Sequence, residues 1–394
     1  MFCYNPRLLH FLTIRFVMKD FETLDTSSYD TQLANKTSKL LAEFKNLFTI
    51  PEPEIFTSEP INYRMRAKFC IYLEGELVRY YMVDTSDNSK RKVFLTKFPT
   101  ASKLINDLMP VVADYISSHR ELSVKFFEID FLTTLSGEAL ITLLYHRKLD
   151  ESWIEEAKNL LGHLREKFPD NIINIIGRAF KQKILLDTDC VYETLTVNNK
   201  QFRYQQVENS FTQPNAHVSE KMLTWVQNNT SDLSDTDLLE LYCGNGNFSI
   251  ALAGNFRKIL ATEISKTSVE SAQINIAMNN VTNLKIIRLS AEEFTEALNK
   301  KREFNRLKNN NVNLDEYSCR TVLVDPPRAG LDKDTIDLLK RYEIIIYISC
   351  NPVTLMDNLK SLTETHRISK FAFFDQFPYT EEHIESGVIL TRMQ

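Results

Sequence analysis

Two side chains in the last third of the chain are of types that can make a covalent bond or move a proton. Cys350 follows the apolar run EIIIYIS and precedes Asn351-Pro352. A thiolate leaving a strand into a polar loop can act as a nucleophile, whereas a cysteine packed in a core is inert. Position alone leaves both readings open. Glu385 stands at the head of another apolar run, GVILTRM. There a carboxylate can serve as a general base, or simply end a strand in solvent. Asp325-Pro326-Pro327-Arg328 forms a third polar cluster, whose prolines stiffen the backbone beside the aspartate.

A cofactor loop is legible upstream. The chain has nine glycines, and two of them, Gly244 and Gly246, lie in LLELYCGNGNFS directly after an apolar run. Small residues there let the backbone turn tightly and approach a ligand. Glu263 ends the next run, KILATE, about twenty residues on, where a carboxylate can accept hydrogen bonds from a ribose diol. Ser249 occupies the place of the third glycine of a dinucleotide fingerprint, which favours a mononucleoside cofactor over NAD. Cys243, between strand and glycine, reads as packing. Further upstream, QQVENSFTQPN at 205–215 is rich in amides. These suit recognition of a polar ligand, or they cap the helix that starts near Asn215.

These groups need elements to position them. From about residue 237, the runs DLLELY, KILATE, LKIIRL, TVLVD and IIIYIS alternate with helical patterns. That alternation predicts an α/β, doubly wound, Rossmann-like sheet. KFAFF and GVILTRM follow with almost no helix-sized gap, which predicts an antiparallel last strand. Ligands in such sheets bind outside the carboxyl ends of the strands, where all three polar clusters fall.

The first half reads differently. Residues 27–48 carry Leu33, Leu40, Leu41, Phe44 and Leu47 at helical spacing. Pro51, Pro53 and Pro60 then mark a helix-free linker. Residues 66–83 read as two strands around Gly75, and 126–146 as a hairpin turning at Ser136-Gly137-Glu138. Helices are expected at 101–118 and 151–168. This half is α+β, with hairpins rather than βαβ units. The resulting division is 1–17 as an incidental extension, 18–59 as helix and linker, 60–200 as an α+β domain and 201–394 as the α/β domain that carries the polar clusters.

Composition sets the limits. The 394 residues suffice for two or three domains at roughly 100–200 residues each. With 43% hydrophobic and 25% charged residues, the chain is neither disordered nor coiled-coil. No apolar stretch approaches the roughly 18 residues of a spanning helix, so no membrane role is expected. The six cysteines include no CxxC pair, which argues against a zinc site, an iron–sulfur cluster or a disulfide scaffold and suits the cytoplasm. A net charge of −5 means that any nucleic acid must be held by a local basic patch.

Taken together, FTQPN at 211–215, LYCGNGNFS at 241–249, DPPRAGLD at 325–332, YISCNP at 347–352 and FDQFPYTEEHIESGVIL at 374–390 resemble the RNA uracil-5-methyltransferases. NYRMRAKF at 62–69 and FEIDFLTTLS at 127–136 extend the likeness into the first half. Within that family the chain resembles the tRNA branch, since it lacks the iron–sulfur cysteines and separate N-terminal barrel of the ribosomal-RNA branch. The resemblance implies S-adenosylmethionine as methyl donor, bound by Gln213, Tyr242, Asn247, Glu263 and Asp325. It implies Cys350 as nucleophile, Glu385 as base and no metal. It implies the T-arm of tRNA as substrate, with ribothymidine as product, and other RNAs carrying a T-loop-like stem-loop as further partners.

That chemistry requires these groups. Uracil C5 is a poor carbon nucleophile until a thiolate adds at C6, and a base must then remove the C5 proton. A base in folded RNA must be flipped out, stacked on aromatics and held by cations. Residues 61–100 hold Arg64, Arg66, Lys68, Arg79, Lys90, Arg91, Lys92 and Lys97 against Glu74, Glu76, Asp84 and Asp87. Phe126, Phe127 and Phe131 are candidates for stacking, though core packing fits them as well. The rival readings are a ribosomal-RNA uracil-5-methyltransferase and a non-catalytic RNA-binding or RNA-folding protein on the same scaffold.

Overall fold

The structure is a computed structural model that describes residues 24–84, 90–380 and 383–394. The extension 1–17, Cys3 and Asp87 lie outside the described residues. Among the described residues the chain runs from a 3-10 turn (Thr26–Ser28) into α1 (Tyr29–Leu47) and β1 (Glu54–Phe56). It continues through β2 (Arg66–Glu74), β3 (Leu77–Val83), β4 (Lys92–Leu95), α2 (Lys103–Ser118), α3 (Arg120–Ser123), β5 (Phe126–Thr133) and β6 (Glu138–Tyr145). Then come α4 (Glu151–Lys167), β7 (Ile172–Ala179), β8 (Gln182–Leu185), β9 (Cys190–Val197) and β10 (Lys200–Val207).

The strands β2 to β8 form a seven-stranded sheet in the order β4-β3-β2-β5-β6-β7-β8. Its hairpins fall where the sequence predicts them, with Gly75 and Gly137 at positive φ in the turns. One pairing differs from the expectation of hairpins alone. β6 and β7 run parallel, joined by α4, so this half contains a βαβ unit. The crossover follows from α4, which Asp150 caps by accepting from Trp153 N–H. Its Trp153, Ala157, Leu160 and Leu164 are buried in the core shared with this sheet. Gly177 on β7 makes room for Trp153, whose ring atom Cη2 would stand 2.3 Å from a Cβ there. Residues 200 and 201, where the sequence divides into domains, both lie in β10, which pairs along its length with β9.

The second half comprises α5 (Ala216–Asn228), β11 (Asp237–Leu241), α6 (Asn247–Ala251), β12 (Lys258–Glu263), α7 (Lys266–Met278) and β13 (Leu284–Arg288). It continues with α8 (Ala291–Leu298), α9 (Asn305–Asn309), β14 (Cys319–Val324), α10 (Lys333–Leu339), β15 (Ile344–Ser349), α11 (Pro352–Leu362), β16 (His366–Phe374) and β17 (Glu385–Arg392). Its sheet runs β1-β16-β17-β15-β14-β11-β12-β13. β11 to β15 are parallel, and β17 is antiparallel to both its neighbours, as the missing helix-sized gap predicts. Such strands are buried on both faces, which explains their unbroken apolar runs.

The first helix belongs to this second body. Tyr29, Leu33, Leu40 and Phe44 pack in one core with residues of β11, β14, β15 and β16. The Phe44 ring centroid is 4.8 Å from that of Phe371. The proline-marked linker also contributes β1, which pairs parallel to the end of β16.

Candidate active site

The register of the sheet gathers the sequence-predicted residues on one edge. On the last rungs Leu241 faces Thr262 on one side and Val324 on the other. Tyr242 and Asp325 therefore leave the sheet together, each one residue later, beside Glu263, which ends β12 paired with Arg288. On β15 and β17 the last rung is Ser349–Ser386. Cys350 and Glu385 follow it, because β17 begins at the edge where the parallel strands end.

The glycine turn is built as its composition requires. Tyr242, Gly244 and Gly246 have φ of 61°, 56° and 84°, and α6 starts at Asn247. Glu263 accepts from Gly244 N–H at 3.1 Å with Oε2 and from Ser265 N–H at 2.7 Å with Oε1. The acidic residue thereby holds the turn and the start of α7 while remaining half-buried. Asn247 carries its carbonyl into a hydrogen bond from Tyr204 Oη at 2.9 Å, which ties α6 to β10. Cys243 is buried in the core, as read from sequence.

One acidic residue of this region escaped the sequence reading. Glu240 lies inside β11, 1% exposed, and Ser249 Oγ donates to it. Burial pushes its carboxyl up to about 8, with Asp325 and Glu263 adding repulsion. The signal was a carboxylate in the middle of the apolar stretch of DLLELY. The same bond explains why serine replaces glycine at 249.

Desolvation pushes the Asp325 carboxyl up to about 7. Burial pushes Glu385 well above the usual carboxylate range; Asp325 adds to this and Arg328 opposes it. Glu385 is 4% exposed, and its Oε2 has no hydrogen-bond partner. The Cys350 thiol is raised by burial, then by Glu385 and Asp325, with Arg328 again opposing. Thiol, two carboxyls and one guanidinium thus lie close enough to act on one another. Asn351 shapes this corner by capping α11 and by donating from Nδ2 to Arg328 carbonyl at 2.9 Å.

Gln213 joins the site through Gln376, whose Nε2 donates to Gln213 Oε1 at 3.4 Å. Asn215 caps α5, its Oδ1 accepting from Val218 N–H, so the capping reading of these amides holds for that residue. His383 is not a free loop histidine: its Nδ1 lies 2.7 Å from Arg328 Nη2.

The first half brings less bare charge than its composition suggests. Arg66, Lys68, Arg79 and Arg91 pair with Asp130, Glu128, Glu74 and Asp84. Lys90, Arg91, Lys92 and Lys97 are exposed. Phe126 and Phe131 are core residues at 3% and 0% exposure. Phe127 is half-buried and stacks on His146, with ring centroids 3.8 Å apart. Among the described residues no group of three or more His, Cys, Asp or Glu could hold a metal ion, and no helix is long and apolar enough to cross a membrane.

A parallel sheet with an antiparallel strand inserted beside its last parallel one, and a glycine turn facing an acidic strand end, is the Rossmann-like methyltransferase arrangement. The sequence model of the tRNA (Uracil-5-)-methyltransferase family matches residues 28–393, and the chain belongs to that family. The tRNA/tmRNA (uracil-C(5))-methyltransferase of Vibrio vulnificus (strain YJ016) is 55% identical over 372 residues, covering 94% of this chain and 99% of its own. The protein of the same name from Shewanella woodyi (strain ATCC 51908 / MS32) is 55% identical over 372 residues, covering 94% and 98%. Among solved structures, Pyrococcus abyssi tRNA (uracil-54, C5)-methyltransferase in complex with S-adenosyl-L-homocysteine has the same fold. Its TM-score is 0.67 at 21% identity, over 92% of this chain and 83% of that one.

Proposed function

We propose that this protein is a cytoplasmic enzyme that methylates C5 of a uracil in the T-loop of tRNA, with S-adenosylmethionine as donor. The observation that carries the reading is the pairing of β15 with β17, which sets Cys350 and Glu385 one step beyond the same rung. The donor set fits the cofactor. Asp325, Glu240 and Glu385 crowd negative charge whose ionisation the protein itself disfavours, and Glu385 Oε2 is unpartnered. A sulfonium cation relieves that crowding. Glu263 would hold the ribose, and Asn247 at the head of α6, Tyr242 and Gln213 would complete the cofactor site.

S-adenosylmethionine, when bound, supplies an electrophilic methyl group. Cys350 adds as thiolate to uracil C6, forming the C–S bond and driving the C5–C6 electron pair onto the ring as an enolate. The enolate makes C5 nucleophilic enough to take the methyl group. Glu385 then removes the C5 proton, the pair re-forms the C5–C6 double bond, and the C–S bond breaks to return the thiolate. Arg328 favours the thiolate against two carboxyls that oppose it. The seven-stranded sheet and its exposed lysines serve as the RNA-binding half, and Phe127 is the aromatic of its trio left partly open for an extruded base.

Methyl transfer to unmodified tRNA tests the reading, with denaturing electrophoresis as second readout. Cys350→Ala should give neither product nor an RNA-linked protein. Glu385→Gln keeps size and hydrogen bonding but cannot take the proton, so it should accumulate an adduct that depends on Cys350. Normal turnover by Glu385→Gln, or an adduct persisting without Cys350, would assign these roles to other residues.

A further inference from the structure

α1 carries a buried cation that the reaction described above does not use. Lys36 Nζ has three acceptors: Asp375 Oδ1 at 2.6 Å, Phe377 carbonyl at 3.1 Å and His383 carbonyl at 3.2 Å. The Lys36 and Asp375 side chains are 1% and 0% exposed. An ammonium has three donors, so this one is saturated.

These acceptors all belong to the loop between β16 and β17. Asp375 directly follows β16, Phe377 lies on the outgoing limb, and His383 lies two residues before Glu385. Lys36 therefore bridges both limbs at the base of the loop that delivers the proposed base. The same loop sends Gln376 to Gln213, and His383 to Arg328. Further contacts support it from the first half. Tyr63 Oη donates to Pro378 carbonyl at 3.2 Å, and Tyr29 meets Tyr379 edge-on at 5.9 Å between centroids.

A lysine buried for packing alone is a poor choice, because removing an ammonium from water is costly and an apolar residue would fill the space. What an ammonium does that a methyl cannot is fix three oxygens from separate stretches of chain at once. Thr380 Oγ1 also spans the limbs, at 2.7 Å from Phe377 carbonyl and 3.2 Å from His383 carbonyl, but it reaches two oxygens where Lys36 holds three.

We propose that Lys36 and Asp375 form a buried clamp that positions Glu385 for C5 proton removal, making Lys36 a positioning residue for the elimination half of the reaction. The proposal rests on the base role assigned to Glu385 above. It places the contribution of the first helix at one chemical step, late in turnover, rather than at RNA or cofactor binding.

The test uses the full chain with unmodified tRNA. Lys36→Met alone leaves Asp375 as an unpaired buried charge, so the informative protein is Lys36→Met combined with Asp375→Asn, which removes both charges. Its thermal transition should remain cooperative. Its kcat should fall by about 10²-fold, the loss that misplacing a reacting group brings, with KM for both substrates nearly unchanged. The Cys350-dependent RNA adduct should build up as it does in Glu385→Gln. A folded double variant with normal kcat and no adduct, beside a Glu385→Gln protein that does accumulate one, would overturn the clamp alone. No adduct from Glu385→Gln would overturn the base assignment, and the clamp with it.

Discussion

Ser349 and Ser386 stand opposite each other on the last rung between β15 and β17. The residue after Ser349 is Cys350, and the residue before Ser386 on the partner strand is Glu385. The proposed nucleophile and base are thereby spaced by strand pairing, the stiffest relation the fold offers, and a shift of register would separate them.

Gly387, one step inside that rung, protects the register. An added Cβ would stand 2.9 Å from Trp225 Cζ3 and 3.0 Å from Phe374 Cε2. Both rings are buried on the same face, so β17 itself must give way. Gly387→Ala should cost about 1–3 kcal/mol of stability by overpacking. It should also lower activity beyond what partial unfolding explains. Urea unfolding and initial rates, measured together, decide this; an unchanged midpoint would mean that the rings yield instead.

Much of this edge was legible because it obeys local rules. The glycine turn, the strand ends and the antiparallel closing strand each leave a mark in a short window of sequence. Lys36 left none, since a lysine at a helical position reads as solvent-facing until its partner, 339 residues away, is known. Glu240 was hidden by its apolar run, and β1 by the prolines around it. The parallel pairing of β6 and β7 depends on α4 folding back over the sheet, which periodicity reports as helix without saying where it packs.

Glu263 should bind the cofactor through a carboxylate already fixed by Gly244 and Ser265. Glu263→Ala removes the acceptor for the ribose hydroxyls and loosens the turn. Affinity for S-adenosylmethionine should weaken by about 1–3 kcal/mol, measured by calorimetry. Equal affinity would take Glu263 out of the site.

RNA affinity should depend on the exposed lysines of the first sheet rather than on its paired arginines. Lys90→Ala with Lys97→Ala should reduce the salt slope of tRNA binding by up to about 2, or roughly one per lost phosphate contact. Arg79→Ala, whose guanidinium already meets Glu74 at 3.0 Å, should change it less. A slope unaffected by the lysine pair would place the RNA on another face.

Stability should fall with rising pH, and Glu193 is one reason. It is 1% exposed, and burial pushes its carboxyl from the ordinary 4.5 up to about 8, although Oε1 accepts from Leu135 and Thr194 N–H. The unfolded chain gives up this proton near 4.5 and the folded protein keeps it to about 8. Its contribution therefore favours folding at low pH and is lost as pH rises across that window. Glu193→Gln keeps the acceptor oxygen and stays neutral. It should gain on the parent protein steadily over that range in urea unfolding, and a constant difference would show that Glu193 ionises normally in the fold.

Cofactor charge should be coupled to protons at the site. Asp325 is raised to about 7 by desolvation, and Glu385 is raised further by burial and by Asp325. A sulfonium placed among them stabilises the ionised carboxylates, so binding S-adenosylmethionine near neutral pH should release protons. S-adenosylhomocysteine has a neutral thioether at the same place and lacks that pull. Calorimetry in buffers of different ionisation enthalpy counts the protons directly. Release should be greater for the sulfonium than for the thioether, and the affinity ratio of the two should grow as pH rises toward and past about 7. Asp325→Asn should shrink the difference. Equal proton release by both ligands would mean that the methyl-bearing sulfur sits away from these carboxyls, and with it the transferred carbon would lie away from Cys350 and Glu385.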